Sequence, residues 1–211
     1  MNAPVRSVDV LSFGCRLNLA ESEALRQSLK CATGDAPMIV VNSCGVTHAA
    51  VREARTAIRR AHRAQPDARI MVTGCAAQIA PADFAAMPEV DRVIGNADKL
   101  DPDAYRADTH APRIAVSDIM AVTRTAPQLL AAFSGHARAF LEVQNGCDHR
   151  CTFCVIPLGR GPSRSIAVAE IVARAERLID EGHCELVLTG VDVTSYRDAD
   201  GANLGELCRT L

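Results

Sequence analysis

Six of the nine cysteines in this chain fall into two groups whose spacing suits thiolate chemistry. Cys147, Cys151 and Cys154 form C-x3-C-x2-C in a short loop that follows an apolar run. Three sulfurs held that tightly can close around one face of an iron–sulfur cubane and leave one iron without a protein ligand. Cys15, Cys44 and Cys75 lie 29 and 31 residues apart, close to the roughly 30 residues of one βαβ repeat. Each follows an apolar run, has a Gly neighbour (Gly14, Gly45, Gly74) and precedes a helical pattern. In an open parallel sheet the strand carboxyl ends share one edge, where such folds bind ligands. Three thiols therefore converge there. Helix N-termini favour the thiolate, which is the metal-binding form.

Other readings of the same residues stand beside this one. Free cysteine packs well in cores, so Cys15, Cys44 and Cys75 also suit three small buried hydrophobes. A structural zinc ion normally takes four protein ligands. Each group offers three, although His149 is a conceivable fourth for the second. A cluster with an open iron fits better. Cys31, Cys184 and Cys208 match no motif and read as buried or incidental thiols.

The elements that position these groups follow from the hydrophobic pattern. Strand-type runs at Val8 to Phe13, Met38 to Val41, Arg69 to Thr73 and Val90 to Ile94 alternate with helical patterns. The helices are predicted over Asn18 to Lys30, over His48 to Ala64 and from near Pro81. That alternation predicts a parallel α/β sheet domain over residues 1–100. From Leu100 to Gly135 the rhythm lapses around Pro102, Pro112 and Pro127, with one strand near Arg113 to Val116. Residues 101–137 are expected to form a connector with some sheet of its own, containing the domain boundary. Residues 138–211 resume with a strand at Ala139 to Gln144, the cysteine loop, a helix at Ala167 to Glu181 and a strand at Glu185 to Thr189. A last helix begins at Leu204.

Composition excludes several classes. Aromatic residues make up 3% of the chain and Trp is absent, so Ala, Val, Leu and Ile must fill the core. A net charge of −2 points to no nucleic-acid partner by itself. Arg52, Arg55, Arg59 and Arg63 share one helix face, which reads as a solvated face or as phosphate contacts. Arg150, Arg160 and Arg164, near the second cysteine group, are expected to meet an anionic cofactor or RNA. The opening run is broken by Arg6 and Asp9 and is not a signal peptide, and no stretch is apolar enough to span a bilayer. A cytoplasmic location without membrane contact is expected. In that reducing compartment a disulfide framework is disfavoured, and metal binding or catalysis is the leading account.

The C-x3-C-x2-C motif with Phe153 just before its third cysteine resembles the radical S-adenosylmethionine enzymes. The likeness extends to the methylthiotransferases of that superfamily. Phe13 to Asn18, Asn42 to Thr47 and Thr73 to Gln78 resemble the three cluster motifs of their amino-terminal domain, and Gly95-Asn96 with Lys99 resembles a further signature. Cys154 to Ser165 and Leu188 to Tyr196 look like the branch that methylthiolates N6-threonylcarbamoyladenosine beside the tRNA anticodon. The branches acting on isopentenyladenosine or on a ribosomal protein usually differ there. Arg197 departs from the Gly common at its position. The resemblance spans residues 8 to 211.

The resemblance implies an amino-terminal parallel α/β sheet domain followed by the first part of a radical-SAM (β/α) partial barrel. It implies two 4Fe–4S clusters and S-adenosyl-L-methionine as cofactors, a tRNA substrate and an electron donor. The Cys147, Cys151 and Cys154 cluster would chelate the methionine moiety and generate the radical that abstracts hydrogen from adenine C2. The Cys15, Cys44 and Cys75 cluster would carry or relay sulfur. Phe153 would lie near the cofactor adenine, against the plain alternative of core packing. Gly190 would meet the methionine amino group through its backbone, against that of a strand-end turn.

Two other classes stay open: an electron-transfer protein, which would normally close each cluster with four cysteines, and a zinc-dependent nucleic-acid-binding module. A complete (β/α) barrel needs about 250 residues. Only two of its strands follow Ala139, so the chain is expected to be a fragment that is inactive alone.

Overall fold

Apolar runs flanked by turn residues become strands here because burial on both faces rewards β-branched and aliphatic side chains. The computed structural model describes residues 8–29, 37–106, 111–123 and 137–211. Val8–Ser12 (β1), Met38–Ser43 (β2), Arg69–Gly74 (β3), Arg92–Ile94 (β4) and Ile114–Ala115 (β5) form one parallel sheet in that spatial order. All of β2 is buried. Its alternate residues feed two cores. Met38 and Val40 pack with Leu25, Leu29 and Tyr105, whereas Ile39 and Val41 pack with Ala54, Ile58 and Phe84. The first face is covered by Arg16–Leu29 (α1), the second by His48–Ala64 (α2) and by Pro81–Ala85 (α4), which follows Cys75–Ile79 (α3).

The register sets the site. Ser12 pairs with Asn42, Asn42 with Thr73, and Ser43 with Gly74, so β1, β2 and β3 end along one edge. α2 runs over the predicted residues, and the Thr47 hydroxyl caps it by accepting from the Ala50 N–H. α1 starts two residues before Asn18, and the short α3 had no periodic signal. The strand expected near Arg113 forms, but it joins the first sheet by pairing Val93 with Ile114 instead of making a sheet of its own. The Arg113 guanidinium donates to the Met87 and Val90 carbonyls and draws this segment onto the edge. Arg6, Lys30, Cys31, Pro127 and Gly135, named above, lie outside the described residues.

The second part is a βαβ unit. Arg138–Glu142 (β6) pairs in parallel with Glu185–Thr189 (β9), and Val168–Asp180 (α6) crosses between them. The expected strand Ala139 to Gln144 is split, because Gln144–Asn145 (β7) turns away to pair antiparallel with Arg164–Ser165 (β8). That pairing clamps the base of the loop carrying Cys147, Cys151, Cys154 and Ile156–Arg160 (α5). Leu204–Thr210 (α7) is capped reciprocally by Asn203 and Glu206. Its Leu207 joins Ala139, Leu141, Ile171, Leu178 and Tyr196 in the core. The two parts pack together through α3 against α5 and α1 against β6. No described helix is long and apolar enough to cross a membrane.

Candidate functional site

At the shared edge, a buried polar lattice fixes the three strand ends. Asn18 Nδ2 donates to the Phe13 and Ser43 carbonyls at 2.9 and 3.1 Å. Asn42 Nδ2 donates to the Asn18 carbonyl, and the Ser43 hydroxyl donates to the Thr73 carbonyl at 2.6 Å. These are the polar residues of the three cysteine motifs, and their work is to place the thiols. Gly74 enters α3 at φ +95°, and a Cβ there would run into Ser43. Cys15, Cys44 and Cys75 all line one cavity of about 360 Å³, and its far wall comes from the second part: Ile156, Arg160, Leu188, Thr189, Gly190, Val191 and Val193. Cys15 is exposed, Cys75 half-buried and Cys44 buried. Burial pushes the Cys44 thiol up, as do the charges of Cys75 and Cys15, while the Val46 N–H favours the thiolate.

Behind Cys75 stands an ionic cluster that the cysteine pattern does not announce. Arg160 is 4% exposed. Its Nε–H donates to Cys75 Sγ at 3.0 Å, and its two terminal nitrogens donate to the Glu21 carboxylate and to Asn18 Oδ1. Lys99 Nζ sits 2.5 Å from the other side of Glu21. Burial raises the Glu21 carboxyl, yet Arg160 and Lys99 together hold it below the usual carboxylate range. Burial likewise opposes the Arg160 charge, but Cys75 and Glu21 outweigh it and hold the guanidinium firmly protonated. Asn96 completes the contact, donating to the Gly159 carbonyl at 2.5 Å with Cys75 Sγ 3.7 Å away.

Arg160 was expected to meet an anionic cofactor or RNA; the structure sets it in the wall of the Cys15, Cys44 and Cys75 cavity, with its donors directed to Glu21, Asn18 and Cys75. A buried carboxylate and a thiol outcompete solvent for its fork of donors. Arg164 is also turned in, donating to the Pro162 and Arg160 carbonyls. Arg150 remains exposed. On α2, Arg52, Arg59 and Arg63 are exposed, whereas Arg55 pairs with Asp83 at 2.9 Å and lies over the Phe84 ring.

The second thiol group occupies the loop between β7 and α5. Cys147 and Cys154 are half-buried and Cys151 is exposed. The Cys154 N–H donates to the Cys151 carbonyl at 3.0 Å, and the Cys147 N–H to the Gly161 carbonyl at 3.1 Å. Phe153 is 88% exposed, so the core-packing alternative fails for it. Gly190 directly follows β9 and lines the cavity, and a Cβ there would press within 2.8 Å of the Gln144 carbonyl. Gln144 was missed in the sequence. Its Nε2 donates to Gly146 O and Ser163 Oγ, and its Oε1 accepts from the Val191 and Asp192 N–H groups. One side chain thus joins the cysteine loop to the strand end. Asp192 makes a second tie, reaching His149 Nε2 at 3.1 Å. Hydrogen bonds from Ser195 and Thr194, with His149, hold its carboxyl below the usual range. The His149 side chain itself stays largely exposed on the loop.

Among the described residues, no three His, Cys, Asp or Glu side chains are close enough to hold a single metal ion. A four-iron cluster asks for something different. Each thiolate binds its own iron, so its three sulfurs stand apart around a cavity, as Cys15, Cys44 and Cys75 do. Donor chemistry and shape fit such a group at the first site. At the second, three thiols on one clamped loop supply the same donor set.

Comparison with known proteins finds a family match in each part of the chain. Residues 7–95 match the Uncharacterized protein family UPF0004 and residues 141–207 match the Radical SAM superfamily. The threonylcarbamoyladenosine tRNA methylthiotransferase MtaB of Rickettsia prowazekii is 48% identical over 89% of this chain and 44% of its own length. The protein of that name from Bacillus subtilis is 38% identical over 95% of this chain and 47% of its own. The Aquifex aeolicus protein is 33% identical over 95% and 51%. The chain spans about half the length of the curated relatives it matches. The radical SAM match implies a 4Fe–4S cluster and S-adenosyl-L-methionine. With both domain matches in sequence order and this identity along nearly its whole length, the chain is similar in both of its parts to the radical SAM methylthiotransferases.

Proposed function

We propose that this chain serves in adding a methylthio group to C2 of N6-threonylcarbamoyladenosine next to the tRNA anticodon, in the cytoplasm and with an external electron donor. The observation that carries the reading is the cavity where Cys15, Cys44 and Cys75 face Arg160 and Gly190 of the second part. The similarity to relatives named for this reaction supports the choice of nucleoside. In this reading, residues 1–100 hold one 4Fe–4S cluster on Cys15, Cys44 and Cys75, residues 101–137 connect, and residues 138–211 hold the second on Cys147, Cys151 and Cys154.

When bound, these groups supply reductive cleavage of S-adenosyl-L-methionine at the second site and sulfur delivery at the first. The chain's own residues arrange where this takes place. Gln144 locks the Gly190 to Asp192 backbone beside the cysteine loop, so that groups there can receive the methionine end of the cofactor. Phe153 offers an open aromatic face to the cofactor adenine. The α3–α5 contact sets the distance between the two sites, and Leu188, Val191 and Val193 give the space between them an apolar wall.

The test is iron and sulfide analysis after anaerobic reconstitution. About eight irons per chain are expected, four on each set. Replacing Cys147, Cys151 and Cys154 with Ala should remove half the iron and abolish the spectral change on adding S-adenosyl-L-methionine. Replacing Cys15, Cys44 and Cys75 should remove half and leave that change. Iron content unmoved by the first replacement would refute the reading, and zinc in place of iron would favour a binding module.

A further inference from the structure

We propose that Arg160 is a positioning residue for the first thiol set: it holds the Cys75 sulfur by a hydrogen bond and raises the reduction potential of the cluster bound there. The inference rests on the reading that Cys15, Cys44 and Cys75 carry a cluster. It assigns a role to a residue of the other domain.

Three observations support it. The Arg160 Nε–H points at Cys75 Sγ from 3.0 Å, within charge-assisted hydrogen-bond range for a sulfur acceptor. The guanidinium is held in place from its other side by Glu21 and Asn18, so its direction is fixed before any cluster is loaded. Finally, Arg160 and Lys99 are two buried cations that share the Glu21 carboxylate, and the Arg160 charge lies in contact with the Cys75 sulfur.

Hydrogen bonds to cluster sulfurs and nearby charge are the protein's means of setting a cluster potential. Reduction adds one electron, and part of that charge lies on the sulfur ligands. A donor and a buried cation at Cys75 therefore stabilise the reduced form more than the oxidised one. Glutamine in place of Arg160 removes the charge; lysine keeps the charge and loses the forked geometry.

The test isolates the first cluster by replacing Cys147, Cys151 and Cys154 with Ala in the 211-residue chain, followed by reconstitution and an anaerobic redox titration read by optical and paramagnetic resonance spectra. Arg160→Gln is expected to lower the reduced-to-oxidised ratio at a given potential at least tenfold, which is about 59 mV for one electron. Arg160→Lys should give a smaller fall, and Arg59→Gln on the exposed face of α2 none. If Arg160→Gln fails to fold, the lysine variant carries the test, and a lowered potential supports the proposal. Iron retained at the first set with the potential unmoved in the arginine variants overturns the inference alone. A parent that binds no iron at the first set overturns the underlying reading instead.

Discussion

The Arg160 Nε–H meets Cys75 Sγ at 3.0 Å across 85 residues of sequence. This contact joins the domain that matches UPF0004 to the domain that matches the radical SAM superfamily, and it does so at a thiol. Stability and cofactor loading should therefore respond together to changes around it.

Glu21 is the sole carboxylate seen pairing with Arg160 and Lys99 among the described residues. Glu21→Gln removes the carboxylate that pairs with both buried cations, a change that costs about 3–5 kcal/mol. Urea denaturation should show a lower midpoint with an unchanged slope. A midpoint equal to the parent's would mean that water reaches these side chains.

Glu142 ends β6 and is 1% exposed. Burial above all, then the charge of Glu21, raises its carboxyl from 4.5 to about 7, against Arg160, Lys99 and the Asn145 side chain. Between those two values the folded chain keeps the proton that the unfolded chain has lost, so stability falls as pH rises through this window and levels off above about 7. Glu142→Gln removes that slope. The variant should match the parent near pH 4 and exceed it by about 3 kcal/mol at pH 8. Parallel stability curves for the two proteins would contradict this.

Gly74 has φ +95° and ψ −175°, backbone that is essentially glycine-only. Gly74→Ala should cost more than about 1–3 kcal/mol, because strain is joined by the clash with Ser43. Cys75 is the next residue, so iron bound at the first set should fall with stability. Full loading in a folded variant would show that Cys75 tolerates displacement.

Phe153 makes the opposite prediction. As an 88% exposed side chain it contributes little to folding, and Phe153→Ala should stay within about 0.5 kcal/mol of the parent. Binding of S-adenosyl-L-methionine to the reconstituted chain should weaken several-fold. Undiminished affinity would remove Phe153 from the cofactor site.

Much of the architecture is local and therefore readable along the chain. β1, β2, β3, α2 and β9 fall within a residue or two of the runs that predict them, since each is decided by its own apolar period and caps. The irregular parts resist that reading. α3 is five residues long and too short for a period, and β5 depends on Arg113 reaching carbonyls more than 20 residues away.

The cysteine spacing by itself determined that Cys15, Cys44 and Cys75 stand at three strand ends on one sheet edge, because chain length per βαβ unit dictates where strand ends fall. The sequence also carries one sign of the ionic cluster: Glu21 stands four residues from Leu17 and from Leu25 on the apolar face of α1. A charge there needs a buried partner. Which partner it finds is beyond local pattern, because Arg160 is 139 residues distant. Only the packing of α5 against α3 turns that arginine from solvent toward Glu21 and Cys75, since the low dielectric between two domains makes a paired charge far cheaper than a lone one.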